Sequence, residues 1–322
     1  MQKLFLTYDN LAKQDGIGAQ LQRIFGLYSI SRRFRIGYIH SPIIGTLEEL
    51  AHNVTSEASM KNLLDEVNVR FNFPSSELTR EIEVVKVHNL TTGVLFKFIL
   101  KSAFGKKSIL LKACLPFGII DKHPDWYKYS GVEIRSNEPT EKAAKKYKMV
   151  VHVRYGYKPI VGSNTASSPR FLPLTYYPNA VREILKQEKL PLDCEILVHT
   201  DIPRENGKWK PFQESKISEL SAIGYEIKES LLDFEGIDLK NEYFSDFPNL
   251  SVKHCAPLLE TLNDMIAADV LLMSRSSFSY IAGIVNRNAV YIPRSHGHGK
   301  MSRWKWDFKK SNSPKIELLS GI

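Results

Sequence analysis

The stretch "VLLMSRSSFSYIAGIV" occupies residues 270–285. It reads as three pieces: an apolar strand, a serine-rich turn over Ser274-Arg275-Ser276-Ser277-Phe278-Ser279, and an apolar helix. A helix start presents unpaired N–H groups and the positive end of a dipole, and hydroxyls add further donors, so such a turn can hold phosphate. Taken alone, a Ser-Ser-x-Ser turn is a helix cap. What the neighbouring strands bring to it decides between the two.

Upstream, "KMVVHVRYG" (148–156) alternates as a strand does and stops at Gly156, which leaves His152 and Arg154 near its mouth. An arginine there is either a frayed strand end or a group waiting for an anion, because its planar fork matches phosphate bidentately. "CEILVHTD" (194–201) is a second strand, ending in His199, Thr200 and Asp201, and "LSVKHCAP" (250–257) a third, ending in His254 and Cys255. Helices separate them: "YYPNAVREILKQEKL" (176–190), with Val181, Ile184 and Leu185 on one face; "FQESKISELSAIG" (212–224), stopped by Gly224; and "PLLETLNDMIAAD" (257–269), with Leu258, Leu262 and Met265 in helical register. "AVYIP" (289–293) is a closing strand. Strands and helices in alternation predict an α/β domain with a parallel sheet covered on both faces.

In such sheets ligands sit beyond the carboxyl ends of the strands. That rule gathers His152, Arg154, Gly156, Thr200, Asp201, Ser274, Ser276, Ser277, Phe278 and Ser279 into one candidate site. Beside Arg154, the phosphate reading of the serine turn becomes the better one. The loop "KPIVGSNTASSPRFLP" (158–173) has the composition of a segment that covers substrate.

The first half is less regular. "QKLFLTYD" (2–9) reads as a strand and residues 18–34 as an amphipathic helix. "RIGYIHSPI" (35–43) is strand-like, with His40 where it opens into a loop, and "LEELAHN" (47–53) and "SMKNLLDEV" (59–67) look helical. "DGIGAQLQR" (15–23) repeats the logic of a glycine turn opening a helix, with Asp15, Gly16, Gly18 and Gln20 as its candidate residues. A lone G-x-G is weak, and no phosphate-loop signature G-x-x-x-x-G-K-[ST] occurs. The expected organisation is an acceptor-side domain over 1–147, a nucleotide-sugar domain over 148–300, and a tail over 301–322 that packs back on the first domain.

Composition narrows the classes. The chain has 322 residues, 43% hydrophobic and 25% charged, in the range of soluble globular proteins. Three isolated cysteines and no C-x-x-C argue for a reducing compartment, against a disulfide framework and against zinc. The start is not a secretory signal, and no window has the apolar length of a membrane span. These features point to a cytoplasmic protein. The net charge of +9 has no nucleic-acid motif to go with it, so an anionic substrate or an anionic membrane surface remains. Basic residues cluster in "FKFILKSAFGKKSILLK" (96–112) and "MSRWKWDFKK" (301–310). Each is readable either as core with snorkelling lysines or as a peripheral membrane face. His296 and His298 in "SHGHGK" read as a solvated loop rather than a chelate.

Four blocks together resemble the fucosyltransferase superfamily of GT-B fold. They are the G-x-G-x-Q turn at 16–20, the H-V-R-x-G strand end at 152–156, "YYPNAVREI" followed by "ILVHTDIP", and "LNDMIAADVLLMSRSSFSYIAGIVNRNAVYIPRS" (262–295). The last is similar, almost position by position, to a block of bacterial α-1,2-fucosyltransferases. The chain departs from that pattern where the family carries a second Arg and an Asp: Tyr155 and Tyr157 stand there, and "SSFSYI" replaces "SSFSWW". The resemblance implies two Rossmann-like domains with a cleft between them. It also implies inverting transfer of fucose from GDP-fucose to a hydroxyl of an oligosaccharide or glycoconjugate acceptor, with no metal and no other cofactor. Arg154 would neutralise the diphosphate, Ser276, Ser277, Phe278 and Ser279 would hold its oxygens, and Thr200 and Asp201 would line the nucleotide pocket. Asp15, then His40, are the candidates for general base. Another donor (UDP-, GDP- or dTDP-linked) and a non-catalytic carbohydrate-binding protein are the rival readings.

Overall fold

Two parallel sheets, each with its own helices, divide the chain. Residues Met1–Glu138 with His298–Ser302 form one unit, and Pro139–Gly297 with Arg303–Ile322 form the other. The computed structural model describes residues 3–10, 16–45, 57–77, 81–130, 148–154, 172–191, 193–202, 204, 207–208, 233–234, 236–294 and 296–307. Asp15, Gly156, the helices expected over 47–53 and 212–224, and residues 158–171 of the expected covering loop lie outside them.

The first unit carries β1 (Leu4–Tyr8), α1 (Ile17–Phe34), β2 (Gly37–Tyr38), α2 (Glu57–Arg70), β3 (Ile82–Asn89), α3 (Thr92–Phe104), β4 (Ser108–Leu115) and α4 (Phe117–Ile120). Its four strands lie in the order β2-β1-β4-β3, all parallel. α1 is buried from Ile17 to Ser31 save for half-buried Ala19, and ends at Arg35 in the left-handed conformation. The strand expected over 35–43 is reduced to two residues. At Gly37 a Cβ would come 2.1 Å from the Phe5 ring, so the β1–β2 contact requires glycine there.

The second unit carries β5 (Lys148–Val153), α5 (Tyr176–Glu188), β6 (Glu195–Thr200), a short antiparallel pair β7 (Gly207–Lys208) and β8 (Asp233–Phe234), α6 (Leu239–Tyr243), β9 (Leu250–His254), α7 (Leu258–Ala267), β10 (Val270–Leu272), α8 (Ser277–Val285), β11 (Ala289–Ile292) and β12 (Lys305–Trp306). Its large sheet runs β12-β11-β10-β5-β6-β9, again all parallel. Numbered by appearance, that is the order 3-2-1-4-5-6 of doubly wound nucleotide-binding sheets. Met149, Val151, Val153, Ile196, Val198 and Leu272 pack against Tyr177, Val181 and Ile184 of α5. Val150, Leu197 and Leu271 are buried as well. Such near-continuous apolar strands are what a parallel sheet covered on two faces needs. Each fully buried Val or Leu contributes roughly 1.5–3 kcal/mol.

Residues 303–307 belong to the second unit. Lys305–Trp306 extends the second sheet beside β11, and Arg303 donates to the carbonyls of Gly283, Ile284 and Asn286 at the end of α8. Trp304, in a segment readable either as core or as a membrane face, is 2% exposed, packed edge-on against Tyr280. Its indole also donates to Gly283 O. For Trp304 the core reading holds: residues 303–306 extend a sheet edge and cap a helix. Only His298–Ser302 belongs with the first unit, where His298 Nδ1 lies 3.2 Å from both carboxylate oxygens of Asp121.

Candidate functional site

From β5 the chain builds outward to β6 and β9, then crosses back to place β10 on the other side of β5. Loops leaving β5 and β10 therefore diverge, and the crevice between them is the switch point where such sheets take ligands. Arg154 leaves β5 at this point, and the serine turn leaves β10.

One bond joins the two strand ends: His152 Nδ1 lies 2.8 Å from Ser274 Oγ. His152 is 6% exposed, and burial pushes its imidazole down to about 3, so the ring is neutral and shares a single proton with the hydroxyl. Ser279 is equally buried and donates to the carbonyl of Ser274 or Ser276. These three groups fix the shape of the turn. Ser276 is the N-cap of α8, accepting from Phe278 N–H at 3.2 Å, and Ser277 is the first helical residue. The Phe278 ring stands edge-on to His152. Arg275 lies three residues past the end of β10, and like Arg154 it is within electrostatic reach of Tyr177.

Arg154 Nη1 is 3.2 Å from Asp201 Oδ2, the residue that follows β6. Thr200 Oγ1 accepts from Ile202 N–H and so shapes its own loop. β9 ties that loop down: Cys255, in the left-handed conformation, donates its N–H to Thr200 O, and His254 Nδ1 approaches Ile202 O at 2.8 Å. Behind the arginines stand Tyr176 and Tyr177 at the start of α5. Burial, then the neighbouring Asp307, holds the Tyr176 phenol far above its ordinary range, and its hydroxyl donates to Asp307. Burial likewise raises Tyr177, whose hydroxyl is within electrostatic reach of Arg154, Arg275 and Asp201 together. His199 turns away from this group. It is held between Asp264 and Thr261, and Asp264 also receives Lys148 and Lys253, which makes a structural ion network under α7.

In the first unit, Gly16 precedes α1 and Gly18 is buried in its first turn. Gln20 is fully engaged: its amide donates to Ile44 O at 2.6 Å and accepts from Ile44 N–H at 3.2 Å, clamping the loop after β2. His40 is half-buried beside Phe73, burial lowers its pKa, and its buried Nδ1 has no hydrogen-bond partner among the described residues. Two residues escaped the sequence reading. Asp9 follows β1 at 6% exposure. Its position past a strand end was the available signal. Arg275 is not among the candidates drawn from the sequence, although it lies on the loop that leaves β10. Among the described residues no cluster of three or more His, Cys, Asp or Glu could hold a metal ion.

No family model matches the chain, and no curated protein does. Solved structures similar to it include the E. coli heptosyltransferase WaaC with ADP, at 9% identity and TM-score 0.36, covering 95% of this chain and 92% of that one. The NodZ α-1,6-fucosyltransferase soaked with GDP-fucose matches at 11% identity and TM-score 0.37, covering 88% and 93%. POFUT1 in complex with GDP matches at 11% identity and TM-score 0.39, covering 90% and 98%. At such scores the functional reading rests on the strand order and the side chains at the switch point.

Proposed function

We propose that the chain is a GT-B glycosyltransferase that moves a sugar from a nucleoside diphosphate to a hydroxyl of a glycan, with GDP-fucose the donor that the sequence resemblance favours. The observation that carries this reading is the His152–Ser274 bond. It locks the strand end bearing Arg154 to the turn that opens α8, at the switch point of a 3-2-1-4-5-6 sheet. A guanidinium and a helix N-terminus then serve the same anion, with Arg275 as a second cation on the neighbouring strand end.

In the reaction, an acceptor hydroxyl oxygen bonds to the anomeric carbon while the bond from that carbon to the diphosphate oxygen breaks. The electron pair leaves with the diphosphate, where Arg154 and Arg275 stabilise the growing charge in a role other folds give to Mg²⁺. The hydroxyl proton passes to a base. Asp15 remains the first candidate from the sequence; His40, with its neutral ring and unpartnered Nδ1, and the buried Asp9 are the candidates within the described residues. Asp201 is the counter-ion of Arg154 and so is not reserved for a guanine base, which keeps UDP- and dTDP-linked donors in play.

A thermal-shift panel of GDP, UDP, dTDP and their sugars tests the reading, because a ligand that binds only the folded state raises its melting temperature. A shift with one nucleotide family, followed by release of sugar from that donor, supports it. No shift with any diphosphate overturns it, and binding without turnover favours the non-catalytic alternative.

A further inference from the structure

α3 carries far more apolar surface than its core uses. Its sequence TGVLFKFILKSAF is apolar around most of the helix, yet only Leu95 and Ser102 are buried, where it lies over β1 and β4. Phe96 is 48% exposed, Leu100 58% and Phe104 87%. These three recur every four residues, so they form one stripe along about 12 Å of helix. A helix apolar on all sides is ordinarily covered on all sides.

Lys97 and Lys101 run along the stripe one position on, and Lys106 and Lys107 continue it past Gly105; all four are exposed. Lys101 and Lys107 pair with Glu83 and Glu81, which leaves a net positive margin beside the aromatics. No helix among the described residues is long and apolar enough to cross a membrane. We propose that α3 is a docking surface for an anionic lipid bilayer, with Phe96, Leu100 and Phe104 entering the headgroup–acyl boundary and the flanking lysines meeting lipid phosphates. Two aromatics, a leucine and a cationic margin are the composition of an interfacial helix. Charge complementarity separates this occupant from a second copy of the chain, since pairing two α3 stripes would bring their lysine rows together. The inference does not depend on the donor reading: a protein of any activity with this helix would bind such a surface.

Sedimentation of the full chain with vesicles tests it. Mixed phosphatidylcholine–phosphatidylglycerol vesicles should bring the protein down at low salt, and pure phosphatidylcholine or high salt should largely release it. Leu100→Ser with Phe104→Ser, at positions too exposed to unfold the unit, should weaken binding at least about tenfold, and Lys97→Glu with Lys106→Glu comparably. Circular dichroism and the melting temperature verify that both variants are folded. Protein that stays in the supernatant with anionic vesicles at low salt overturns the proposal. So does a serine variant that binds as well as the parent, or a dimer in solution that the serine variant dissociates.

Discussion

Arg154 and Asp201 meet across the ends of adjacent strands, Nη1 3.2 Å from Oδ2, with both side chains only partly open to solvent. On the proposed reading, the carboxylate aims the guanidinium and the arginine supplies the anion-binding charge. Arg154→Ala should therefore lose about 10- to 150-fold in nucleotide affinity, the range of a hydrogen bond to a charged group, and nearly all turnover. Arg154→Lys should also fail, because the planar fork is gone. Asp201→Ala should depress turnover more than nucleotide affinity, because the cation stays while its aim is lost. Calorimetry with the nucleoside diphosphate and single-turnover rates check all three, and near-normal activity in either Arg154 variant would sink the assignment.

The serines of the turn are not equivalent. Ser276 caps α8 through Phe278 N–H, so Ser276→Ala should cost about 1 kcal/mol of stability besides any loss of affinity. Ser277 makes no capping bond among the described residues, so Ser277→Ala should weaken diphosphate binding at unchanged stability. Urea midpoints beside titrations separate the two effects. Equal stability loss in both variants would mean that the turn serves the helix and not a ligand.

On the proposed reading, Arg154, Arg275 and the start of α8 supply the positive charge for the departing diphosphate. Transfer should accordingly proceed in EDTA at a rate close to that with added Mg²⁺ or Mn²⁺. A strict metal requirement would show that the leaving-group charge is handled by other groups. Arg275→Ala, tested alongside, should cut turnover at least about tenfold, since a single charge-assisted bond contributes about 1.5–3 kcal/mol.

His152 makes the fold acid-sensitive. Burial lowers its pKa from 6.5 to about 3, so between those values the unfolded chain binds the extra proton. Stability from this group is complete above pH 6.5 and falls on acidification by up to about 1.4 kcal/mol per pH unit. His152→Asn keeps a polar atom for Ser274 and does not titrate. Its urea midpoint should fall less between pH 6.5 and 4.5 than the parent's, and parallel curves would place the acid sensitivity elsewhere.

Much of the second unit was legible because its strands are short apolar runs punctuated by caps. The segments 148–156, 194–201 and 250–257 became β5, β6 and β9, and the turn of 270–285 falls where its serines put it. Position past a strand end located Arg154 and Asp201, but no spacing could announce that they pair with each other. β3 escaped because an edge strand with exposed Val84, Lys86 and His88 mixes polar and apolar residues on one face. β12 has two residues and exists only through its pairing with β11. Gln20 fits a ligand-binding pattern by type and place, yet its amide matches the Ile44 backbone in both senses, a long-range contact that periodicity does not carry.

The return of His298–Ser302 to the first unit has a consequence for biosynthesis. Asp121 and His298, like Asp125 and Ser302, are separated by 177 residues. At ordinary synthesis rates that interval takes roughly 9 to 35 s. Until then Asp121 and Asp125 have no His298 or Ser302 to meet, while β5, β6, β9, β10 and β11 of the second sheet leave the ribosome. The N-terminal unit, first to be made, is therefore among the last to be finished.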